Sequence, residues 1–433
     1  MQSDTQPSDP TTVSARNFRA LWAGAAVTNL ADGVVKLTLP LVTVSMTDSP
    51  ALVAGISVAN TLPWLLFSLP AGVLADRVDR RRLIMMMAAA RALVLAVLGG
   101  GVLADVLPLA GLYAGALLLG TAEVFADTTR MSVAPMVVPR NRMESAFAKL
   151  TATETVANEF IGPPLGGLLA AAGLAVAFGA GGLGYAGALL ALAIMTGHYR
   201  SNRYSRSATS APSLRADMWS GLQFVWRERV LRTLLLLAGA ASACWAAWMA
   251  VIVVYAVAPG PMDLSRAEYG MLIGALGVGG VVGASAAPAL TRQLGRQIVL
   301  AMSMACFTVL LAAPAISSSA RLIAVTTFLG GVGAGAWNVT YSSLRALVVP
   351  DQMMGRYSGV SRLISWGSMP LGALVAGFTA ELINVRAVFW GGAALCALVL
   401  AATLRTVTSP EFQRVEARAT ASHEPAPAQP HHF

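Results

Sequence analysis

Gly72-Val73-Leu74-Ala75-Asp76-Arg77-Val78-Asp79-Arg80-Arg81-Arg82 is the stretch that decides how the chain folds. An apolar run reaches Ala75, meets a carboxylate, and gives way to arginines before a second apolar run starts at Leu83. Runs of this kind, about 20 residues long, cross a bilayer. The arginines mark where the chain leaves the hydrocarbon, because basic residues collect in cytoplasmic loops. Gly72 lets another helix approach closely. Asp76 ends the run at the surface, where a carboxylate is stabilised near the positive N-terminus of a neighbouring helix. Arg77, Arg80 and Arg81 hold the connection at the lipid headgroups.

The same alternation runs from Phe18 to Val407. Of 433 residues, 56% are hydrophobic and 12% charged, about half the charge that covers a soluble domain. The mean hydropathy is +0.65. These values exclude a water-soluble globule and predict an all-α membrane protein with about twelve spans in two six-helix, pseudo-symmetric halves. The halves are 18–197 and 230–408. A cytoplasmic linker, 198–229, joins them, and tails 1–17 and 409–433 are expected to be disordered. In the linker, Leu214, Met218, Leu222 and Val225 share a helical face, which fits a surface-lying amphipathic helix or an early start to the next span. Residues 1–15 are polar and lead into an apolar run too long for a signal peptide.

The net charge of +9 carries no aromatic-interleaved basic patch, so it sets orientation and does not bind nucleic acid. Arg77, Arg80, Arg81, Arg82, Arg140, Arg142, Arg292, Arg296, Arg356 and the linker arginines fall on one side. Few beyond Arg266, Arg321 and Arg386 fall on the other. Both termini are therefore expected in the cytoplasm. Cys244, Cys306 and Cys396 lie in separate apolar runs without metal-ligand spacing. The four histidines sit in the linker and the tail, leaving none in the membrane to carry protons. No metal site or cofactor is expected. No catalytic cluster such as a Gly-x-Ser-x-Gly elbow occurs, which argues against an enzyme. A faint repeat supports paired halves: Val137-Val138-Pro139 precedes a span with Pro164-Leu165-Gly166, and Val348-Val349-Pro350 precedes one with Pro370-Leu371-Gly372.

The string at 72–82 resembles the loop 2–3 signature of the major facilitator superfamily, Gly-x-Leu-Ala-Asp-Arg-x-Gly-Arg-Arg, with Asp79 in place of the usual second glycine. The resemblance implies that Asp76 and Arg77, with Gly72, Arg80 and Arg81, form a latch between halves that favours one access state. In the fifth span, Gly162-Pro163-Pro164-Leu165-Gly166-Gly167 looks like the Gly-Pro-x-x-Gly-Gly motif of the superfamily's antiporters. Asn158, Gly162 and Gly166 share one face there. Pro163 lacks an N–H and frees the carbonyl of Glu159, so the helix is expected to kink. Close packing alone is a second explanation for these glycines. Asn29-Leu30-Ala31-Asp32-Gly33, Ala267-Glu268-Tyr269-Gly270, Val349-Pro350-Asp351 and Arg362-Leu363-Ile364-Ser365-Trp366-Gly367 are similar to the enterobactin-exporter and macrolide-efflux branch. The likeness covers about residues 17–405.

Acids at bilayer depth carry the remaining chemistry. Asp32 lies about 14 residues into the first span, near the midplane at ~1.5 Å per residue. Glu123 and Asp127 lie in the fourth span; Glu154 and Glu159 lie in the fifth. A carboxyl here faces water, a partner or a proton. Two readings stand for each: proton carrier, or member of an ion pair, Asp32 with Lys36 and Asp127 with Arg130. Glu123 has no base on its own helix within one turn and is the favoured carrier; Asp32, Asp127 and Glu159 are the others. Trp245, Trp248, Trp337, Tyr341 and Trp366 line a cavity for a bulky ligand or simply pack.

The expected function is proton-coupled efflux of a bulky amphipathic small molecule, such as a drug, siderophore or secondary metabolite, by alternating access in the cytoplasmic membrane. The alternatives are a proton-coupled uptake symporter and a lipid flippase. The expected partners are substrate, protons and membrane lipid, with the chain acting as a monomer powered by the proton gradient.

Overall fold

The computed structural model describes residues 10–139, 142–197, 199, 223, 226, 229–349 and 351–407. The expected linker helix at 214–226 and the two tails lie outside the described residues, apart from isolated positions and the start of the first helix. A first helical set comprises α1 (Pro10–Met46), α2 (Pro50–Arg77), α3 (Arg80–Leu103), α4 (Leu109–Val137), α5 (Met143–Glu154), a π-helical turn (Thr155–Ile161), α6 (Gly162–Ala172) and α7 (Leu174–Ala193). The second comprises α8 (Arg229–Ala256), α9 (Arg266–Leu294), α10 (Arg296–Ile316), α11 (Ala320–Val348), α12 (Asp351–Leu382) and α13 (Val385–Val407).

The helices start where side chains can satisfy free N–H groups. Ser49 accepts from the Leu52 N–H ahead of Pro50, and Ser265 and Glu268 form a reciprocal capping box at α9. Asp79 caps α3 by accepting from the Arg82 N–H in an extended conformation, φ −67° and ψ 115°. The signature's usual glycine is thus replaced by a residue that the turn tolerates and the helix uses.

Among the described residues, eleven helices are long and apolar enough to cross a membrane. The expected fifth span, 145–172, is not among them, because the π-turn divides it into shorter pieces. Burial follows the logic of lipid, with apolar side chains outward and charges inward. Leu93 and Leu183 are 66% and 76% exposed, whereas Arg91, one half-turn from Leu93, is 1% exposed.

Small residues bring the helices together, and the sequence repeat falls on matching contacts. A Cβ at Gly166 would press on the backbone of Val34 in α1; one at Gly372 would press on the backbone of Ala243 in α8. Likewise Gly120 of α4 meets the carbonyl of Asn60 in α2, and Gly331 of α11 meets that of Leu276 in α9. Gly279 and Gly283 of α9 pack on the backbone of Phe328 and Val332.

Contacts between the sets gather toward the end where α1 and α6 finish. Glu381 of α12 accepts from the Ser49 hydroxyl at 2.7 Å and the Ala51 N–H at 3.3 Å. Arg266 donates to the Ala170 carbonyl at 3.4 Å, and Gly167 lies against Gly270. Leu37, Leu41, Val53 and Ala170 join Trp248, Val251, Tyr269 and Ala376 in one core there. Deeper contacts reach Phe160 with Gly280 and Leu65 with Gly367. Gly72, near the opposite end of α2, meets no heavy atom within 4 Å of where a Cβ would stand, so it makes no close approach here.

Candidate functional site: a charged cleft between two helical sets

Four helices of the first set bring charges to one level. Asp32, Arg91, Glu123 and Glu159 stand 14, 12, 14 and 13 residues from the helix ends Met46, Leu103, Leu109 and Ala172. At 1.5 Å per residue that is about 18–21 Å from the closed end.

Arg91 of α3 donates from Nη1 to Asp32 Oδ1 at 3.0 Å, with the Asp32 side chain 9% exposed. The Tyr185 hydroxyl of α7 donates to the same oxygen at 2.5 Å, and the guanidinium lies 5.0 Å from the Tyr185 ring centre. Arg91 Nη2 is 4.0 Å from Glu123 Oε2, the Glu123 side chain being 23% exposed. Lys36, one turn beyond Asp32, reaches away from it to Glu159 Oε1 at 2.7 Å. Asp127 pairs with Arg130 within α4. Of the two ion pairs read from sequence, that of Asp127 forms and that of Asp32 with Lys36 does not. Asp32 and Lys36 share a helix face, but each finds a partner on another helix, where a rigid rotamer and a shorter reach favour it.

Sequence reasoning missed Arg91. Its signal was present: a lone charge inside Met85-Met86-Met87-Ala88-Ala89-Ala90-Arg91-Ala92-Leu93-Val94-Leu95, where an arginine persists only against a buried acid.

The π-turn explains how Glu159 enters the cleft. Pro163 has no N–H for the Glu159 carbonyl, and the Gly162 N–H bonds Ala157 five residues back. The freed carbonyl points at Gly277 of α9, whose absent side chain makes room for it. Gly162 and Gly166 face α1, with Asn158 beside Gly33 through its backbone carbonyl, and Gly167 faces α9. One motif therefore bridges the two sets.

In the second set, Trp248 is fully buried and stacks on Trp245, whose ring also lies 5.7 Å from that of Phe307. Trp337 stacks on Tyr341 at 5.7 Å with planes 8° apart, and the Tyr341 and Tyr357 hydroxyls are 2.8 Å apart. Trp366 meets Trp64 of the first set with ring centres 4.2 Å apart, an aromatic bridge across the cleft.

At the far end of α2, Arg80 is buried and donates to the carbonyls of Ala75 and Ser132, at 3.1 and 3.3 Å. Arg81 donates to the Leu192 and Ala193 carbonyls, at 3.1 and 2.8 Å, where α7 ends. These arginines tie helices within the first set. Arg77 is exposed, and the side chain of Asp76 lies outside the described residues. Burial alone would push the Asp79 carboxyl up; the backbone N–H groups of Arg82 and Tyr199 outweigh it and hold it below the usual carboxylate range.

Outward apolar faces, inward charges and two matched helical sets flanking a polar cleft define a multi-pass membrane transporter. The chain belongs to the major facilitator superfamily: the family described as Transmembrane secretion effector (MFS_3) matches residues 8–431. It is 25% identical over 389 residues to the multidrug efflux pump Tap of Mycolicibacterium fortuitum, spanning 86% of this chain and 90% of that one. It is 27% identical over 365 residues to y4rN of Sinorhizobium fredii, an uncharacterized MFS-type transporter, spanning 83% and 87%. Among solved structures, a point mutant of the nucleoside transporter NupG superposes with a TM-score of 0.73 at 12% identity, covering 90% of this chain and 99% of that one. A bacterial homologue of the iron transporter ferroportin gives 0.67 at 14% identity, covering 92% and 99%. These structures share the fold.

Proposed function

We propose that the protein exports a bulky amphipathic small molecule in exchange for protons, with Glu123 as the principal carrier. One observation carries this reading: four intramembrane carboxyls, Asp32, Glu123, Asp127 and Glu159, face three cations, Lys36, Arg91 and Arg130, among the described residues. Three acids have a cation within 3.0 Å; Glu123 has only the second, 4.0 Å contact of Arg91. An ionised carboxylate at this depth costs several kcal/mol unless hydrated or paired, so the surplus acid is balanced by a proton when dry and releases it when wet. Alternating access supplies the change from one to the other. The relation to Tap supports efflux and an amphipathic substrate, and the Trp64–Trp366 and Trp337–Tyr341 pairs offer rings to receive it.

In this reading, residues 143–172 form the fifth of twelve crossings, π-turn included. Both termini face the cytoplasm. The end where Glu381 meets Ser49 is external, and the cleft opens inward. The chain works as a monomer, and Asp76 and Arg77 latch the cytoplasmic side when it closes.

The experiment is ethidium transport into everted vesicles under an imposed proton gradient. Wild type is expected to accumulate ethidium until an uncoupler is added. Glu123→Gln is expected to bind ethidium and exchange it downhill but to lose uphill transport. Uphill transport by Glu123→Gln with intact proton dependence removes Glu123 as the carrier. Labelling of Ser205→Cys and Met262→Cys by an impermeant reagent fixes the orientation: only the second is expected to react from outside.

A further inference from the structure

We propose that Arg91 is a shared counter-ion, a positioning residue that swings between Asp32 and Glu123 and so transmits the proton on α4 to α1 and α7. The inference rests on the reading of Glu123 as a proton carrier and adds the residue that senses the proton.

The first observation is burial. Arg91 is 1% exposed inside an apolar helix, so its charge is balanced by protein and not by bulk water. The second is incomplete satisfaction. Nη1 donates to Asp32, while Nε and Nη2 are buried with no hydrogen-bond partner. Buried donors are ordinarily paired, and a guanidinium with two idle nitrogens is held short of its full geometry. The third is direction. The idle Nη2 lies 4.0 Å from Glu123 Oε2, within range of charge but outside hydrogen-bond distance. A movement of about 1 Å closes that gap.

The surrounding charges leave Arg91 as the available cation. On α1, Lys36 is engaged by Glu159; on α4, Arg130 is engaged by Asp127; on α7, Tyr185 is a neutral donor to Asp32. When Glu123 holds a proton, Arg91 and Asp32 balance each other, and Tyr185 adds its hydroxyl to the same Asp32 oxygen. When the Glu123 O–H bond breaks, the proton leaves to the cleft, the electron pair stays on the carboxylate, and Nη2 is drawn to it. Arg91 then loosens from Asp32, which is held by Tyr185 alone. The Tyr185 ring under the guanidinium offers a face over which the cation can slide. Three helices thus feel one proton.

The test needs no substrate. In purified protein in lipid nanodiscs, infrared difference spectra against pH report the protonated carboxyl band, assigned to Glu123 by its loss in Glu123→Gln. Wild type, Asp32→Asn and Asp32→Asn/Arg91→Met are compared. Asp32→Asn gives Glu123 sole claim on Arg91, so its proton affinity is expected to fall. Removing Arg91 in that background is expected to raise it about tenfold or more, the usual effect of one close opposite charge. Asp32→Asn/Arg91→Lys is expected to stay near Asp32→Asn. An unchanged Glu123 titration between Asp32→Asn and Asp32→Asn/Arg91→Met would falsify the proposal. The double variants bury no orphaned carboxylate at residue 32, so they keep the test open if Arg91→Met alone fails to fold. The outcomes separate cleanly: uphill transport by Glu123→Gln defeats the efflux reading while the spectra still report whether Arg91 senses Glu123.

Discussion

The two helical sets are built by the same rules and filled differently. Both bring matching helices together through small residues, Gly166 on Val34 in the first and Gly372 on Ala243 in the second. Yet among the described residues the ion pairs at midspan, Asp32–Arg91, Lys36–Glu159 and Asp127–Arg130, all lie in the first. At the corresponding depth the second set offers Trp245, Trp248 and Phe307 stacked together, and Trp337 on Tyr341. Backbone packing is therefore a shared requirement of the architecture, and charge is a local addition to it. The division leaves the first set able to respond to protons and the second able to present a rigid aromatic surface.

Four expected outcomes test this contrast. The largest is Arg91→Met, which leaves the nearly buried Asp32 without its cation and is expected to cost about 3–5 kcal/mol, read as a drop in thermal stability in detergent. Adding Asp32→Asn is expected to restore most of it; no restoration means that Arg91 supports packing rather than charge. Next come Gly120→Val and Gly283→Val. Each forces a side chain onto facing backbone and is expected to cost about 1–3 kcal/mol or more. Equal loss of membrane abundance in both sets confirms a common packing rule, and a loss confined to one breaks it.

Lys36→Met is expected to depress transport while changing stability by under about 1 kcal/mol, because the pair is more than a third exposed and water screens it. Lys36→Met/Glu159→Gln is expected to recover part of the transport. A double variant no better than the single one means that the two residues act separately. The smallest effect is at Asp79. Its carboxyl is held low, so its caps on α3 stabilise the protein at neutral pH, and that contribution disappears as pH falls through the lowered value. Asp79→Asn is expected to cost a few tenths of a kcal/mol at neutral pH and to flatten the acid limb of the melting profile. An unchanged acid limb removes Asp79 as its source.

Much of the architecture was legible in sequence. Long apolar runs have one stable outcome in lipid, and eleven of the expected spans form single helices. The fifth unit escaped an exact reading because a proline predicts a kink without saying how the chain absorbs it; here the answer is a wider turn. At the site, the choice of residues was better legible than their pairing. Helical periodicity puts Asp32 and Lys36 on one face, but which acid meets which base depends on helix rotation and approach, set by contacts such as Gly33 with Gly162. That is also why Arg91 passed unnoticed while its two acids did not. Asp79, out of place in the signature, made sense only once its oxygen was seen on the Arg82 N–H.

The wider turn at Thr155–Ile161 also places a constraint on chain length, distinct from any on residue type. A π-turn holds one residue more than the α-helix it interrupts. Deleting one residue there would restore a regular helix and rotate everything beyond it by about 100°. Gly162 and Gly166 would swing away from α1, and Gly167 would leave Gly270. The stretch thus behaves as a phase-setter: side chains within it are exchangeable so long as their number is kept, and a single-codon deletion is expected to uncouple the two sets where several substitutions would not.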